Sequence, residues 1–197
     1  KVPPQGLQKS LPHTKLRQDR QSQPLLFNAT SSRLPMPFSA LGLAPSLAHA
    51  AASQGLIAPT PVQSQAIPAI LNGHALRACA PTGSGKTAAY VLPLLQEWLL
   101  SDAAQRQGSR STQALVLVPT RELAAQVAEL IYHVGEAMGR RPKVAVLTGG
   151  VSINPQLMAL RGGADMVIAT PGRLLDVVAH SQLKLHTIDT LVMDEAD

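Results

Sequence analysis

From about residue 75 onward, short apolar runs alternate with longer stretches in which apolar residues recur every three or four positions. The runs lie near Ala75–Ala80, Ala114–Val118, Val144–Leu147, Met166–Ala169 and Leu191–Met193, each of a length suited to a strand. Helical periodicity fills the intervals around Lys86–Leu100, Arg121–Met138, Asn154–Arg161 and Arg173–Ala179. Strands alternating with helices predict right-handed βαβ crossovers and a parallel sheet. The runs are apolar throughout, as expected where helices cover both faces of a sheet. In such sheets ligands bind outside the carboxyl ends of the strands, so chemistry is sought there. Two more helices are predicted upstream. One spans Leu43–Gly55, with Gly55 as its stop. The other spans Thr60–Gly73, with Thr60 as N-cap, Pro61 in the first turn, Gly73 as terminator and Pro68 as an expected kink.

Composition adds a boundary. Residues 1–35 carry six bases against Asp19 alone, whereas the remainder carries eleven of each sign, so the whole net charge of +5 sits in the tail. That tail holds Pro3, Pro4, Pro12 and Pro24 with many Gln and Ser and no apolar period, and it is expected to be a disordered basic segment. A solvated leader, a salt-sensitive RNA-adhesive arm and an organelle transit peptide all fit its composition. Residues 36–197 form the expected folded domain; aromatics are only 3% of the whole chain, so the core is expected to be built of Leu, Val, Ile and Ala. Cys79 is the single cysteine, which excludes an internal disulfide, suits a reducing compartment and is expected to be a small buried hydrophobe. No apolar run approaches the ~18 residues of a membrane span, so no membrane association is expected. Trp98, beside Leu94 and Leu95, is expected in the core. The polar stretch 101–113 reads as a surface loop with solvated Arg106 and Arg110.

The first strand of the alternating region runs into Ala-Pro-Thr-Gly-Ser-Gly-Lys-Thr, residues 80–87, and then a helix. Gly83 and Gly85 permit backbone conformations closed to other residues, so the loop can wrap its N–H groups around a polyphosphate at the positive end of that helix. Lys86 would reach the β- and γ-phosphates and the Thr87 hydroxyl would ligate Mg²⁺. The strict G-x-x-x-x-G-K-[ST] pattern fails only at Ala80. A site of this kind needs an acid at the end of a neighbouring strand. Asp194 follows the last apolar run, and Glu195 beside it would position or deprotonate a water. The alternative for these acids is a solvated acidic terminus.

Asp194-Glu195-Ala196-Asp197 spells the signature of the DEAD-box ATP-dependent RNA helicases, and five more segments resemble that family in its order. Gly55–Gln63 resembles the Q motif, with Phe38 at the spacing of the upstream aromatic, although Leu56 stands where the family usually has an aromatic. Residues 80–87 resemble the family's phosphate loop, Ala first; Pro119–Ala124, Gly149-Gly150 and Thr170–Arg173 resemble its RNA-contacting segments. The resemblance implies a RecA-like P-loop NTPase fold and ATP with Mg²⁺ as cofactors. It implies that Gln63 and Phe38 bind adenine and that Thr82, Gly83, Ser84, Gly85, Lys86 and Thr87 bind phosphate. Thr87 and Asp194 would hold the metal, with Lys86, Asp194 and Glu195 catalytic. Pro119, Thr120, Arg121, Gly149, Gly150, Thr170, Pro171, Gly172 and Arg173 would contact the RNA backbone independently of sequence. Taken singly, Thr120 and Thr170 also read as helix N-caps, and Arg121 and Arg173 as solvated side chains.

Complete members of the family continue past this tetrapeptide into further motifs and a second RecA-like domain that supplies an arginine finger. The resemblance therefore implies an incomplete first domain, a fragment that alone hydrolyses ATP negligibly, and cytoplasmic action on RNA with possible helicase-activating proteins. A non-catalytic nucleotide- or RNA-binding module is the alternative. A GTPase would want an Asn-Lys-x-Asp base reader, which the sequence lacks.

Overall fold

The computed structural model describes residues 25–28, 37–105, 111–180 and 183–195. In chain order the elements are β1 (Leu25–Asn28), a 3₁₀ turn at Phe38–Leu41, α1 (Pro45–Ser53), α2 (Pro61–Leu71), β2 (Leu76–Cys79), α3 (Lys86–Gln105) and β3 (Ala114–Leu117). They continue with α4 (Arg121–Ala137), β4 (Val144–Leu147), α5 (Asn154–Leu160), β5 (Met166–Ala169), α6 (Pro171–Ala179), a 3₁₀ turn at Leu185–Thr187 and β6 (Thr190–Met193). Every strand and helix expected from the pattern is present. Most of the basic tail, the loop arginines 106 and 110, and residues 196–197 lie outside the described residues. Within the tail, Leu25–Asn28 is a strand rather than the structureless segment expected.

The strands form two parallel sheets, β1-β2 and β4-β5-β3-β6. In the larger one, Leu115 is level with Val167 and Leu191, which aligns the carboxyl ends of β3, β5 and β6. Side chains alternate between its faces. Ala114, Val116, Val118, Val144, Met166 and Ile168 join the larger core cluster with residues of α1, α3 and α4. Leu115, Ala145, Leu147, Val167 and Ala169 join a second cluster with Leu160 of α5 and Val177 of α6. The apolar strands β3, β4 and β5 are thus covered on both sides, as their composition requires.

The helices follow from local signals. Along α4, Ala124, Val127, Ala128, Ile131 and Val134 recur at helical spacing and are all buried. Thr60 caps α2 with a full capping box, in which Thr60 Oγ1 accepts from Gln63 N–H and Gln63 Oε1 accepts from Thr60 N–H at 2.9 Å. α2 continues through Pro68, and α3 through Pro93. Pro93 lies in a stretch of α3, Ala88–Gln96, that is buried throughout. Trp98 is core, at 5% exposure.

Two expectations change here. The last strand was expected to be buried, yet Leu191 and Met193 are 55% and 63% exposed. Cys79, expected buried, is exposed with Arg77 and Ala78. The cause is the same in both cases. β2 pairs with β1 and has no ladder to the four-stranded sheet, and β6 pairs only with β3 among the described residues, so each keeps uncovered positions. Side chains of α3 span the interval instead. The Tyr90 hydroxyl reaches Asp194, and the Thr190 hydroxyl donates to Glu97 Oε2 at 3.1 Å. Residues 90 and 97 are two helical turns apart, about 10 Å, and 190 and 194 are about 13 Å apart along a strand, so one face of α3 holds β6 at both ends.

Candidate functional site

The loop 80–85 leaves β2 and turns into the first residue of α3, Lys86. Its turn rests on Gly83 at φ +76 and Gly85 at φ +90, values in the left-handed region that glycine adopts without strain. Lys86 Nζ donates to the Ala80 carbonyl at 2.7 Å, folding the lysine back over the loop. Ser84 Oγ is buried and has no hydrogen-bond partner. A buried hydroxyl left without a partner in a glycine turn at a helix start is a polar group available to a ligand.

Gln63 ties this loop to the segment upstream. It is 2% exposed, and its Nε2 donates to the Gly85 carbonyl at 3.1 Å while its Oε1 holds the Thr60 cap. One amide proton and one carbonyl lone pair remain unused. Phe38 is only 3% exposed and belongs to the larger core cluster. Leu56, at the position where the pattern departs, also packs against that cluster.

Asp194 arrives from the other side. Its backbone N–H donates to the Leu117 carbonyl at 2.9 Å, extending the β3–β6 ladder by one rung. The Tyr90 hydroxyl donates to Asp194 Oδ2 at 2.8 Å, and the Glu195 N–H lies 3.1 Å from Oδ1. Tyr90 is one helical turn beyond Lys86 and Thr87. Tyr90 and Asp194, 104 positions apart, therefore meet, which brings the tip of β6 against α3. Burial first, then the Asp194 carboxylate, holds the Tyr90 phenol well above its usual range, so it stays protonated and can only donate to that carboxylate. Glu195 has φ +51, unusual for a residue with a side chain and of the kind that clusters at functional sites.

The segments after β3, β4 and β5 meet along the same edge. Val118 N–H donates to Ala169 O at 3.0 Å and Thr170 N–H to Leu147 O at 2.9 Å. Thr120 is the N-cap of α4, its Oγ1 accepting from Leu123 N–H at 3.2 Å, whereas Thr170 occupies the N-cap of α6 without a side-chain bond. A Cβ at Gly150 would lie 2.7 Å from Arg121 Nη1, so the arginine packs directly on that glycine. Arg173 Nη2 donates to Val151 O at 2.9 Å, and its Nε is 3.5 Å from the Asp176 carboxylate. Its Nε and Nη1 are buried without a hydrogen bond, so Arg173 is not a solvated side chain. Pro119, Pro171 and Gly172 are exposed on the same rim, and Gly149 is half-buried.

Three residues that sequence reasoning passed over shape the site. Tyr90 and Glu97 lie in a helix that reads as core. Gln156, on α5, is buried and brackets Thr148, accepting from its N–H at 3.1 Å and donating to its carbonyl at 2.9 Å just before Gly149-Gly150. Gln156 sits on a short apolar helix, and nothing local marks its partner.

The parallel sheet, the glycine loop opening a helix and the acid at the tip of β6 define a RecA-like P-loop domain. The DEAD/DEAH box helicase family model matches residues 60–197, and the chain belongs to that family. The chain is 42% identical over 162 residues to the DEAD-box ATP-dependent RNA helicase CshA of Streptococcus pneumoniae, covering 82% of this chain and 29% of that protein. The chain thus spans under a third of that relative's length. Among solved structures it resembles the hypothetical ATP-dependent RNA helicase from Sulfolobus tokodaii, with a TM-score of 0.67 and 37% identity over 79% of this chain and 42% of that one. It also resembles the yeast DEAD-box splicing factor Prp28, with a TM-score of 0.69 and 28% identity over 86% of this chain and 41% of that one.

Proposed function

We propose that this chain is the ATP-binding part of an ATP-dependent RNA helicase that couples ATP binding and hydrolysis to RNA duplex unwinding. The observation that carries this reading is the contact between Tyr90 and Asp194, which brings the acid strand to within a helical turn of Lys86 and Thr87. Family membership and the activities for which the relatives are named support it.

Lys86 exchanges the Ala80 carbonyl for the β- and γ-phosphates. The N–H groups of Thr82, Gly83, Ser84 and Gly85 surround the polyphosphate, and the orphan Ser84 hydroxyl gains a partner. No group of three or more metal-ligating His, Cys, Asp or Glu side chains occurs among the described residues. One hydroxyl and one carboxylate, Thr87 and Asp194, suit Mg²⁺, which takes its other ligands from phosphate and water. When bound, Mg²⁺ supplies neutralisation of phosphate charge. Glu195 orients the attacking water. Gln63 reads adenine with its spare proton and lone pair, so base binding reports directly to Gly85. Phe38 backs the base through whatever edge its core packing leaves free.

The rim formed by Pro119, Thr120, Arg121, Gly149, Gly150, Thr170, Pro171, Gly172 and Arg173 binds RNA phosphates and ribose without reading bases. The Arg173 guanidinium, whose Nη1 makes no hydrogen bond, is suited to a phosphate oxygen. Helicase-activating proteins are proposed as further partners. Among the described residues no helix is long and apolar enough to cross a membrane. We place the protein in the cytoplasm, with which its lone, exposed Cys79 is compatible.

The test is competition for a fluorescent ATP analogue on this chain. ATP should displace it at least tenfold more effectively than GTP, and Lys86→Ala should weaken binding at least tenfold while leaving RNA affinity unchanged. Equal displacement by GTP, or indifference to Lys86→Ala, overturns the reading.

A further inference from the structure

The geometry points to Tyr90 as a positioning residue that presets the Asp194 carboxylate for the hydrated divalent cation of a bound nucleotide. This rests on the proposed nucleotide site. Tyr90 follows Thr87 by three residues on α3, so the two side chains share a face one turn apart. The phenol is buried at 8% exposure, its oxygen is 2.8 Å from Asp194 Oδ2, and the Thr87 side chain interacts with the same phenol. One hydroxyl therefore sits between the two proposed metal-holding groups.

Asp194 needs such a constraint. It follows the last residue of β6, a strand hydrogen-bonded on one side only among the described residues, with Met193 beside it largely exposed. A carboxylate on that tip is free to rotate unless something fixes it. Tyr90 engages Oδ2 and the Glu195 N–H approaches Oδ1, which fixes the carboxylate and leaves each oxygen a lone pair for a cation or its water. A hydrogen bond between a neutral donor and a carboxylate is of the stronger kind. Phenylalanine would fill the same volume and supply none of this. Glu97, two turns further along α3, fixes the other end of β6 through Thr190 and does not touch Asp194.

The experiment measures affinity for a fluorescent ADP analogue on the whole 197-residue chain, first in EDTA and then across a Mg²⁺ titration. The expected result for Tyr90→Phe is a Mg²⁺-free affinity within about twofold of the parent and a Mg²⁺-dependent enhancement reduced roughly ten- to a hundredfold, the scale of one hydrogen bond to a charged group. Asp194→Asn should lose the enhancement too, and adding Tyr90→Phe to it should change nothing more. An unchanged enhancement in Tyr90→Phe overturns the inference, as does an equal loss with and without Mg²⁺, which marks a merely structural tyrosine. If Asp194→Asn itself keeps the full enhancement, the nucleotide-site reading fails and takes this inference with it. Either Tyr90→Phe outcome, beside a loss of enhancement in Asp194→Asn, refutes Tyr90 alone and leaves the nucleotide site standing.

Discussion

Gly85→Ala tests the link between the upstream glutamine and the phosphate loop, and Gly83→Ala is its control. Both glycines have positive φ, so an alanine at either costs about 1–2 kcal/mol in backbone strain. At Gly83 nothing lies within 4 Å of the added methyl. At Gly85 the methyl would lie 2.4 Å from Gln63 Nε2, 3.2 Å from Gln63 Cδ and 3.3 Å from Thr60 Oγ1. Gln63 must leave, and it gives up two hydrogen bonds, to Gly85 O and from Thr60 N–H. Each is worth about 1 kcal/mol, and the Gln63 amide is only 2% exposed, so water does not readily replace them. Gly83→Ala should therefore cost about 1–2 kcal/mol and Gly85→Ala about 3–5 kcal/mol. Urea denaturation followed by circular dichroism, without nucleotide, reads the difference from midpoints at equal m-values. Gln63→Ala placed in the Gly85→Ala background should cost less than Gln63→Ala alone, because the clash disappears with the side chain. The reasoning is refuted if Gly85→Ala is no worse than Gly83→Ala to within about 0.5 kcal/mol.

Gln156→Leu should cost about 2–4 kcal/mol in the same assay, since it strands the N–H and the carbonyl of Thr148 at once; it should also weaken RNA binding through the Gly149-Gly150 turn, and unchanged stability contradicts that role. Ile131→Ala removes a fully buried side chain where α4 meets the sheet and should cost about 2–5 kcal/mol, whereas a loss under 1 kcal/mol would mean that α4 is not packed there. Burial first, then the Asp189 charge, raises the Glu97 carboxyl above its ordinary range, while the Thr190 hydroxyl opposes the shift. The folded protein then holds this proton to higher pH than the unfolded chain, so the associated stability is present below the unfolded value and lost as pH rises through the folded one. Glu97→Gln should gain stability relative to the parent as pH rises above the ordinary carboxylate range; a pH-independent difference between the two curves contradicts this.

How far the sequence reached depended on whether the determining contacts were local. The α4 stripe, the Thr60 capping box and the glycine loop are all set by residues within a few positions of one another, and all are legible as written. The parallel direction of the strands and the meeting of the β3, β4 and β5 loops at one edge follow from the alternation of strands and helices, whereas the order β4-β5-β3-β6 does not, since handedness leaves the neighbours open. The exposure of Cys79 and Met193 was not legible, because an apolar run reads as buried whether or not a neighbouring strand covers it. Tyr90 was hidden for the opposite reason: amid Ala88, Ala89, Val91 and Leu92 its ring looks like core, and only the fold shows its hydroxyl reaching a carboxylate 104 residues away. The bland reading of Thr120 as a helix cap is realised and leaves its hydroxyl partly committed, whereas that of Arg173 as a solvated side chain is not.

The central claim is that Lys86, Thr87 and Asp194 serve one magnesium-bound polyphosphate. A crystal structure of this chain with Mg²⁺ and a non-hydrolysable ATP analogue tests it most directly. The account predicts Lys86 Nζ on the β- and γ-phosphates instead of Ala80 O, and a metal ion ligated by Thr87 Oγ1 with Asp194 in its first or water-bridged coordination shell. A nucleotide whose phosphates lie away from the 80–87 loop, or a metal bound there with Asp194 turned away from it, would contradict the account.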